Sequence, residues 1–94
     1  MRLRFARSAG KHGVVPARIR HVIRHCGLWF EQPPSTGGLA SQTARLVYLG
    51  DDAMGIALEV MAVELASGDL LVIHAMPLRT KYRKQYEEAQ KWRR

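Results

Sequence analysis

Residues 45–76 read RLVYLGDDAMGIALEVMAVELASGDLLVIHAM, and this stretch decides the fold. Three runs dominated by Val, Ile, Leu and Ala predict strands over 45–50, 56–65 and 70–76. The runs are separated by DDAMG and ASGD, whose glycines and aspartates suit tight connections. The three strands therefore most simply form an antiparallel meander.

Side-chain alternation along the middle strand divides its residues between two faces. One face is expected to carry Ile56, Leu58, Val60 and Ala62, and Glu59 lies on the other. Asp51 and Asp52 fall in the first connection. Aspartate is favoured in turns for its local hydrogen bonds, so we expect a turn role rather than a catalytic carboxylate pair.

The N-terminal flank predicts a strand over 2–6, because Leu3 and Phe5 alternate with arginines. A helical turn is expected within residues 8–13, and Pro16 suits the first turn of a helix that Gly27 ends. The apolar stripe of that helix has helical spacing and consists of Ile19, Val22, Ile23 and Cys26.

Towards the C-terminus, residues 28–32 predict a brief strand, and PPSTGGLASQT, residues 33–43, predicts a mobile loop. Pro77 cannot continue a central strand but can open a helix. The apolar residues of that helix recur at helical spacing and are Leu78, Tyr82, Tyr86 and Ala89.

This element order predicts a small single α+β domain over residues 1–94. Its sheet is expected to be mainly antiparallel with a central meander, N-terminal helices and a basic C-terminal helix. We expect the helices to pack against one face of the sheet.

Composition excludes several classes of protein. The single cysteine, Cys26, rules out an internal disulfide framework and a zinc site built from cysteines. The longest apolar runs, such as Leu70 to Ile73, are far too short to span a membrane, and the basic N-terminus lacks the apolar core of a signal peptide. We therefore expect a soluble, cytoplasmic protein with no membrane partner and no cofactor.

Charge is unevenly distributed along the chain, whose net charge is +7. Residues 1–30 carry +7, residues 31–78 carry −5 and residues 79–94 carry +5. If the two basic ends line one face, that face would attract a polyanion such as RNA. A merely soluble basic surface is the alternative.

The stretch HAMPLRTKYRKQYE, residues 74–87, contains the first candidate site. Metal-free RNA cleavage needs a proton acceptor for the 2′-hydroxyl, a proton donor for the leaving oxygen and positive charge at the phosphate. The catalytic candidates are His74, Arg79, Tyr82, Arg83 and Lys84, with Lys81 and Lys91 as further phosphate-binding residues. The alternative is a solvated helical face and a strand-end histidine bonded to the backbone.

A second candidate lies at AGKHGV, where Lys11 and His12 precede a glycine turn that could hold an anion. Arg4 and Arg7, on and after the first strand, are nucleic-acid-binding candidates beside it. The alternative is that Gly13 simply ends a helical turn. A fold that brings His12 or Lys11 close to His74 and Arg79 would favour a functional site over this alternative.

Two further groups favour structural roles. His21 and His25 have the spacing of zinc ligands on a helix, but Val22 occupies the position of the glutamate in the protease signature, and Cys26 fits the core. No metal site is therefore predicted. The aromatic residues that could stack on bases, but more simply pack in the core or against a partner, are Trp29, Phe30 and Trp92.

Three segments resemble a known family: FARSAGKHGV (5–14), RLVYLGDDAMGIALEVMAVE (45–64) and VIHAMPLRTKYRKQYEEA (72–89). Their order and spacing are similar to those of the BrnT-type toxins of bacterial type II toxin–antitoxin modules, within the wider RelE/ParE-like superfamily. The resemblance implies a small α+β ribonuclease that cleaves RNA without metal and is neutralised by a cognate antitoxin. It also implies that the toxin–antitoxin complex binds operator DNA to repress its own operon, and it is compatible with an oligomer.

Carried over by position, Lys11 and His12 match the lysine-histidine turn of the family. Its basic terminal helix is matched by Arg83, Lys84, Tyr86 and Glu87. Where the family has serine, alanine and arginine closing the last strand, this chain has His74, Ala75 and Met76 followed by Pro77. Either Arg79 replaces the missing arginine, or His74 has a different role.

The leading hypothesis is therefore an RNA-cleaving toxin. His74 transfers a proton in this hypothesis, Arg79, Arg83 and Lys84 hold the phosphate, and Lys11 and His12 assist. Two alternatives keep the same fold: a module that binds nucleic acid without cleaving it, and a protein whose basic face receives only an acidic partner.

Overall fold

The structure is a computed structural model that describes residues 2–26, 28–33 and 44–91. The elements in chain order are β1 (Leu3–Phe5), a 3₁₀ turn (Arg7–Gly10), α1 (Pro16–His25), β2 (Leu28–Gln32), β3 (Arg45–Asp51), β4 (Ala57–Glu64), β5 (Leu70–Pro77) and α2 (Thr80–Lys91). The strands predicted from apolar patterning are confirmed to within one residue at each end. The predicted Gly27 cap, Trp92 and residues 34–43 of the predicted loop lie outside the described residues.

Five strands of the described chain form one sheet in the order β1-β5-β4-β3-β2. The predicted antiparallel meander β3-β4-β5 is confirmed, and β2 extends it as an antiparallel neighbour of β3. β1 lies parallel to β5, so the sheet is mixed. The chain is thus a small α+β structure. No helix in the described residues is long and apolar enough to cross a membrane.

The two helices cover opposite faces of the sheet, which corrects the expectation that they share one face. Ile19 and Val22 of α1 are buried against a cluster that includes Leu58 and Val60 of β4. Tyr82 of α2 is buried on the other face, in a cluster formed with Val47, Leu49 and Met61. Both faces need cover because successive residues of β3 and β4 are apolar. The basic N-terminal helix and the basic C-terminal helix consequently do not line one common face.

Pro77 ends β5 rather than opening α2, which begins at Thr80. Proline is tolerated here because β1 pairs only with residues 70–72 of β5, so nothing in the described chain needs the missing N–H at Pro77. The intervening Leu78 donates its backbone N–H to the carbonyl oxygen of Ala57, and its side chain packs into the cluster of α2.

A β-bulge interrupts the pairing of β4 with β5. Met61 pairs with His74 and Ala62 pairs with Val72, so Ile73 is an extra residue. As a result, the side chains of Ile73 and His74 both lie on the face that carries α2, while Val72 and Ala75 lie in the cluster of α1. The bulge brings His74 to the centre of the candidate site.

The β3–β4 connection is a turn organised by Asp52. Its Oδ1 accepts the backbone N–H groups of Met54 and Ile56, each at 2.9 Å, and Gly55 adopts a φ of 83°. Arg18 of α1 donates to Oδ2 at 2.8 Å, which ties the turn to the helix. The predicted turn role is confirmed for Asp52, whereas Asp51 is the last residue of β3, and its carboxylate accepts the hydroxyl of Tyr86. Ile56 precedes β4 and is half exposed, unlike the other three residues of its predicted face.

Candidate functional site

The candidate site is built around Glu59, a carboxylate with no solvent exposure in the middle of β4. Its neighbours along the strand, Leu58 and Val60, point to the cluster of α1, so Glu59 points to the opposite face. A charged group in such a place is stable only when it is paired and hydrogen-bonded. Both conditions are met by two residues from β5 and from the connection to α2.

Arg79 supplies the counter-charge. Its Nε donates to Oε2 of Glu59 at 2.7 Å, and its Nη2 lies 2.6 Å from the same oxygen. The backbone N–H of Arg79 donates to Oε1 at 2.8 Å. Glu59 therefore fixes both the side chain of Arg79 and the chain just before α2. The Arg79 side chain remains 39% exposed, so part of the guanidinium faces solvent.

His74 is the third member of this cluster. Its Nε2 lies 2.9 Å from Oε2 of Glu59, and its side chain is partly exposed. An ionised carboxylate can only accept, so Nε2 carries a proton in both charge states of the imidazole. Nδ1 is then the atom that can take up or release a proton. We infer this tautomer from the hydrogen bond.

Ionisation of Glu59 reflects two opposing effects. Burial raises the pKa of this carboxyl, but hydrogen bonds from the side chain and backbone of Arg79 and from His74 outweigh burial and hold the pKa below its usual value. Hydrogen bonding to Glu59 in turn raises the pKa of Arg79. Glu59 and Arg79 are therefore both charged at neutral pH.

The N-terminal segment reaches the same place. The rings of His12 and His74 lie edge to face, with centroids 5.9 Å apart. Ser8 donates its hydroxyl to the carbonyl oxygen of Ile73 at 2.7 Å, which holds the segment against the bulge. The sequence alone left open whether His12 lies near His74, and the structure brings the two rings into contact. Lys11 is exposed and is not among the residues that line the cleft described next.

Ser8, His74 and Arg79 open onto a cleft of about 460 Å³, and His12 contacts His74 without lining the cleft itself. Its lining is formed by Ser8, Gln32, Arg45, Met61, Ile73, His74, Arg79, Lys81 and Tyr82. Three of these side chains are basic, namely Arg45, Arg79 and Lys81, and the carboxylate of Glu59 beneath them balances one charge. The cleft is therefore net positive and suited to an anionic ligand.

Tyr82 is buried, whereas a catalytic acid must reach the substrate. It is only 3% exposed, and its hydroxyl lies 3.5 Å from Oε1 of Gln32. The cations of Arg79 and Lys81 lie 5.8 and 5.0 Å from its ring centroid. Tyr82 thus forms the wall of the cleft and orients two cations through its ring face.

Other predicted residues lie outside the cleft. Arg83 is exposed and pairs with Glu87 one turn along α2, at 3.7 Å. Lys84 and Lys91 are exposed on α2. On the N-terminal side, Arg4 lies 3.4 Å from Asp69, and Arg7 is exposed beside a separate hollow under the 3₁₀ turn. None of these five contributes to the lining of the cleft.

Sequence reasoning missed four residues of the site: Ser8, Gln32, Arg45 and Glu59. Glu59 had the clearest signal, because a single acid inside the apolar run ALEVMAV is costly unless it is paired. Arg45 carried a weaker one, as the only base within the acidic middle of the chain. The other two gave no signal, since their role depends on contacts with distant parts of the chain.

The histidines of α1 have contacts of their own within the described part of the chain. The His21 and His25 rings lie 4.5 Å apart, and Nδ1 of His21 lies 3.2 Å from the carbonyl oxygen of Asp51. Among residues 2–26, 28–33 and 44–91, no group of three or more His, Cys, Asp or Glu residues is arranged to hold a metal ion.

Comparison with known proteins adds no relative. A scan against protein-family models, a search of curated proteins and a search of solved structures each returned no match to this chain. The site must therefore be interpreted from its own chemistry. It combines the His74 imidazole, a carboxylate that orients it and a fixed guanidinium at a positive cleft, with the His12 ring in contact with His74.

Proposed function

We propose that this protein is a metal-independent endoribonuclease, the toxin component of a bacterial type II toxin–antitoxin module. The observation that carries the proposal is the cluster of Glu59, His74 and Arg79, with His12 in ring contact, at the edge of a positive cleft. The α+β fold and the sequence resemblance are compatible with a BrnT-type member of the RelE/ParE-like superfamily.

The proposed reaction is attack of a ribose 2′-oxygen on the adjacent phosphorus. Nδ1 of His74 accepts the 2′-hydroxyl proton, the new P–O2′ bond forms, and the P–O5′ bond breaks. His12, as an imidazolium, donates a proton to the departing O5′ oxygen. The products are a 2′,3′-cyclic phosphate and a 5′-hydroxyl, so atoms and protons balance without a metal ion.

The other residues of the cleft act by charge and position. Arg79 presents the exposed part of its guanidinium to the phosphate, and Lys81 and Arg45 add positive charge that stabilises the transition state. Glu59 is a positioning residue, because it is buried and acts through His74 and Arg79. Arg83 and Lys84 are not needed for this chemistry.

A purified-protein assay tests the proposal with a short single-stranded RNA in the presence of EDTA. We expect cleavage that leaves cyclic phosphate ends, and a loss of at least about 100-fold in rate for His74→Ala, typical of removing an acid–base group. Arg83→Ala is the matched control and should stay within about twofold. Intact RNA with the unaltered protein, or equal rates for His74→Ala and the unaltered protein, would refute the mechanism.

Growth of a bacterial host tests the biological role. Induction of the chain should arrest growth, His74→Ala should relieve the arrest, and co-expression of the cognate antitoxin should do the same. On the basis of the resemblance, the proposal includes two further steps in the cytoplasm: the chain binds its antitoxin, and the resulting complex binds operator DNA. Unimpaired growth of a host that lacks any antitoxin would count against the toxin role.

One observation favours a second candidate, a module that binds nucleic acid without cleaving it. Two of the three guanidinium nitrogens of Arg79 are directed at Glu59 and not at the cleft. This candidate predicts RNA binding that weakens steeply with salt while the RNA stays intact. The cleavage assay separates the two.

A further inference from the structure

The sheet face that carries α1 has a second concentration of positive charge, remote from the cleft in the fold. Arg2, Arg20 and Arg24 surround a hollow of about 300 Å³ whose remaining lining is Leu3 and Ile23. Arg20 and Arg24 lie one turn apart on α1, and Arg2 comes from the residue before β1. We call this the arginine hollow.

The three guanidinium groups have no anionic partner in the described part of the chain. Asp69 lies close to this group but is paired with Arg4, whose Nε is 3.4 Å from Oδ2 of Asp69. Oδ1 of Asp69 accepts the backbone N–H of Arg2 at 3.2 Å, not its guanidinium. Arg20 packs over the ring of Phe5, 5.2 Å from its centroid, which restricts its position. Three arginines around one hollow without a counter-ion favour binding of an anion, and arginine forks match phosphate oxygens.

A second hollow, of about 440 Å³, adjoins the first, because Ile23 lines both. Its other lining residues are Trp29, Glu31, Leu46, Tyr48 and Glu64. Trp29 is 60% exposed on β2, although large aromatic side chains are usually buried. We call this the tryptophan hollow.

The two hollows together fit a nucleotide unit better than an acidic protein. An exposed indole offers a stacking surface to a base, and carboxylates accept hydrogen bonds from exocyclic amino groups of bases. An acidic peptide would use the arginines but has no need of the exposed indole beside them, whereas a nucleotide uses both. A base must be unpaired to stack on Trp29, which favours a single strand over a duplex.

We propose that this surface binds single-stranded nucleic acid, with a backbone phosphate in the arginine hollow and a neighbouring base on Trp29. The surface lies on the face of the sheet opposite to the cleft. It therefore acts as a separate binding site, and it does not depend on whether the cleft cleaves RNA.

The test measures binding of a labelled single-stranded RNA dodecamer to His74→Ala protein by fluorescence anisotropy. Arg20→Gln combined with Arg24→Gln should weaken binding at least about tenfold and reduce the salt dependence by about 0.7 in log–log slope for each phosphate that is no longer neutralised. Trp29→Ala should weaken it about fivefold or more. Lys84→Gln combined with Lys91→Gln removes the same charge from α2 and should leave the affinity within about twofold.

Indole fluorescence gives a second measurement. In a Trp92→Phe background, Trp29 is the remaining tryptophan, and its emission should be quenched by the single strand and much less by the matching duplex. Equal losses of affinity in the two double variants would show a response to net charge only and overturn the site. Equal binding of duplex and single strand, or competition by AMP at the same concentration as the dodecamer, would overturn the proposed ligand.

Cleavage and binding fail independently in this design. If the cleft is inactive, the dodecamer still binds and Trp29→Ala still weakens it. If the surface does not bind RNA, cleavage of a short substrate persists and is unaffected by Arg20→Gln with Arg24→Gln.

Discussion

Replacing either member of the buried ion pair should destabilise the protein, but by different amounts. Glu59→Gln replaces one carboxylate oxygen with an NH₂ group, which is a hydrogen-bond donor. In one orientation this NH₂ faces the backbone N–H of Arg79, and in the other it faces the side-chain donors that bind Oε2. A donor therefore meets a donor in both orientations. The charge left on Arg79 can be hydrated because that side chain is 39% exposed. We therefore expect a loss of about 2–3 kcal/mol, within the range for hydrogen bonds to charged groups.

Arg79→Gln should cost more, because it leaves Glu59 charged at a position with no solvent exposure. Breaking a buried pair in this way costs about 3–5 kcal/mol. For a chain of this size, each kcal/mol lowers the melting temperature by about 4–8 °C. The double variant carries no buried charge and should lose less than the sum of the two single variants.

Acidification gives an independent check. The pKa of Glu59 is lowered in the folded protein, so its stabilising contribution is complete above the unfolded value of 4.5 and is lost as pH falls through the folded value. In Arg79→Gln, the guanidinium no longer offsets the effect of burial on the pKa of Glu59. The loss in free energy of unfolding caused by Arg79→Gln should therefore become smaller as pH falls and Glu59 takes up a proton.

Urea unfolding followed by circular dichroism measures these differences, with Glu64→Gln as the control. Glu64 lies on the same strand but is exposed, and its substitution should change the free energy of unfolding by less than about 0.5 kcal/mol. A cost of Glu59→Gln as small as that of the control, a larger cost than that of Arg79→Gln, or strict additivity in the double variant would refute the argument.

Three further predictions concern the packing of α1 against the sheet and the turn before β4. Gly50→Ala should destabilise by about 1–3 kcal/mol, because the new Cβ would lie 2.9 Å from Cα of Cys26, whereas Gly10→Ala meets no atom within 4 Å and is the control in thermal melts. Asp52→Asn should lower the melting temperature at neutral pH. The hydrogen bond from the Ile56 backbone is the largest cause of the lowered pKa of Asp52. Urea titrations should therefore show that the contribution of Asp52 to the free energy of unfolding is complete above pH 3.8 and is lost as pH falls through the folded pKa. The same loss of stability at low pH in Asp52→Asn would contradict this. Tyr48 should ionise above its usual value of 10.0 in a spectrophotometric titration, because burial raises its pKa, and a normal midpoint would argue against its buried position.

Local patterning was sufficient to predict the strands and the meander, but not the distribution of the helices. The alternation seen in residues 56–62 suggested one apolar face. Val47, Tyr48 and Leu49 are consecutive apolar residues, and this pattern indicates a strand covered on both faces. The second helix was therefore required on the opposite side.

The site was predicted in part. His74 and Arg79 followed from charge and position, but Glu59 contacts them across 15 and 20 residues, and only the bulge and the short connection before α2 bring these atoms together. Arg83 and Lys84 do not line the cleft, and the spacing of the apolar residues along α2 already indicated this position. Tyr82 and Tyr86 pack inward, so the two residues after Tyr82 point towards solvent.

The bulge in β5 gives two neighbouring residues the same side of the sheet. Ile73 packs with the cluster beneath α2 and offers its carbonyl oxygen to Ser8, while His74 reaches Glu59. A strand one residue shorter would restore regular alternation, leave the α1 face in register and provide a single position for both tasks. The imidazole and the packing residue would then be alternatives. Deleting Ile73 would keep His74 on the α2 face and lose the packing contact, whereas deleting His74 would leave Ile73 there and remove the side chain that reaches Glu59.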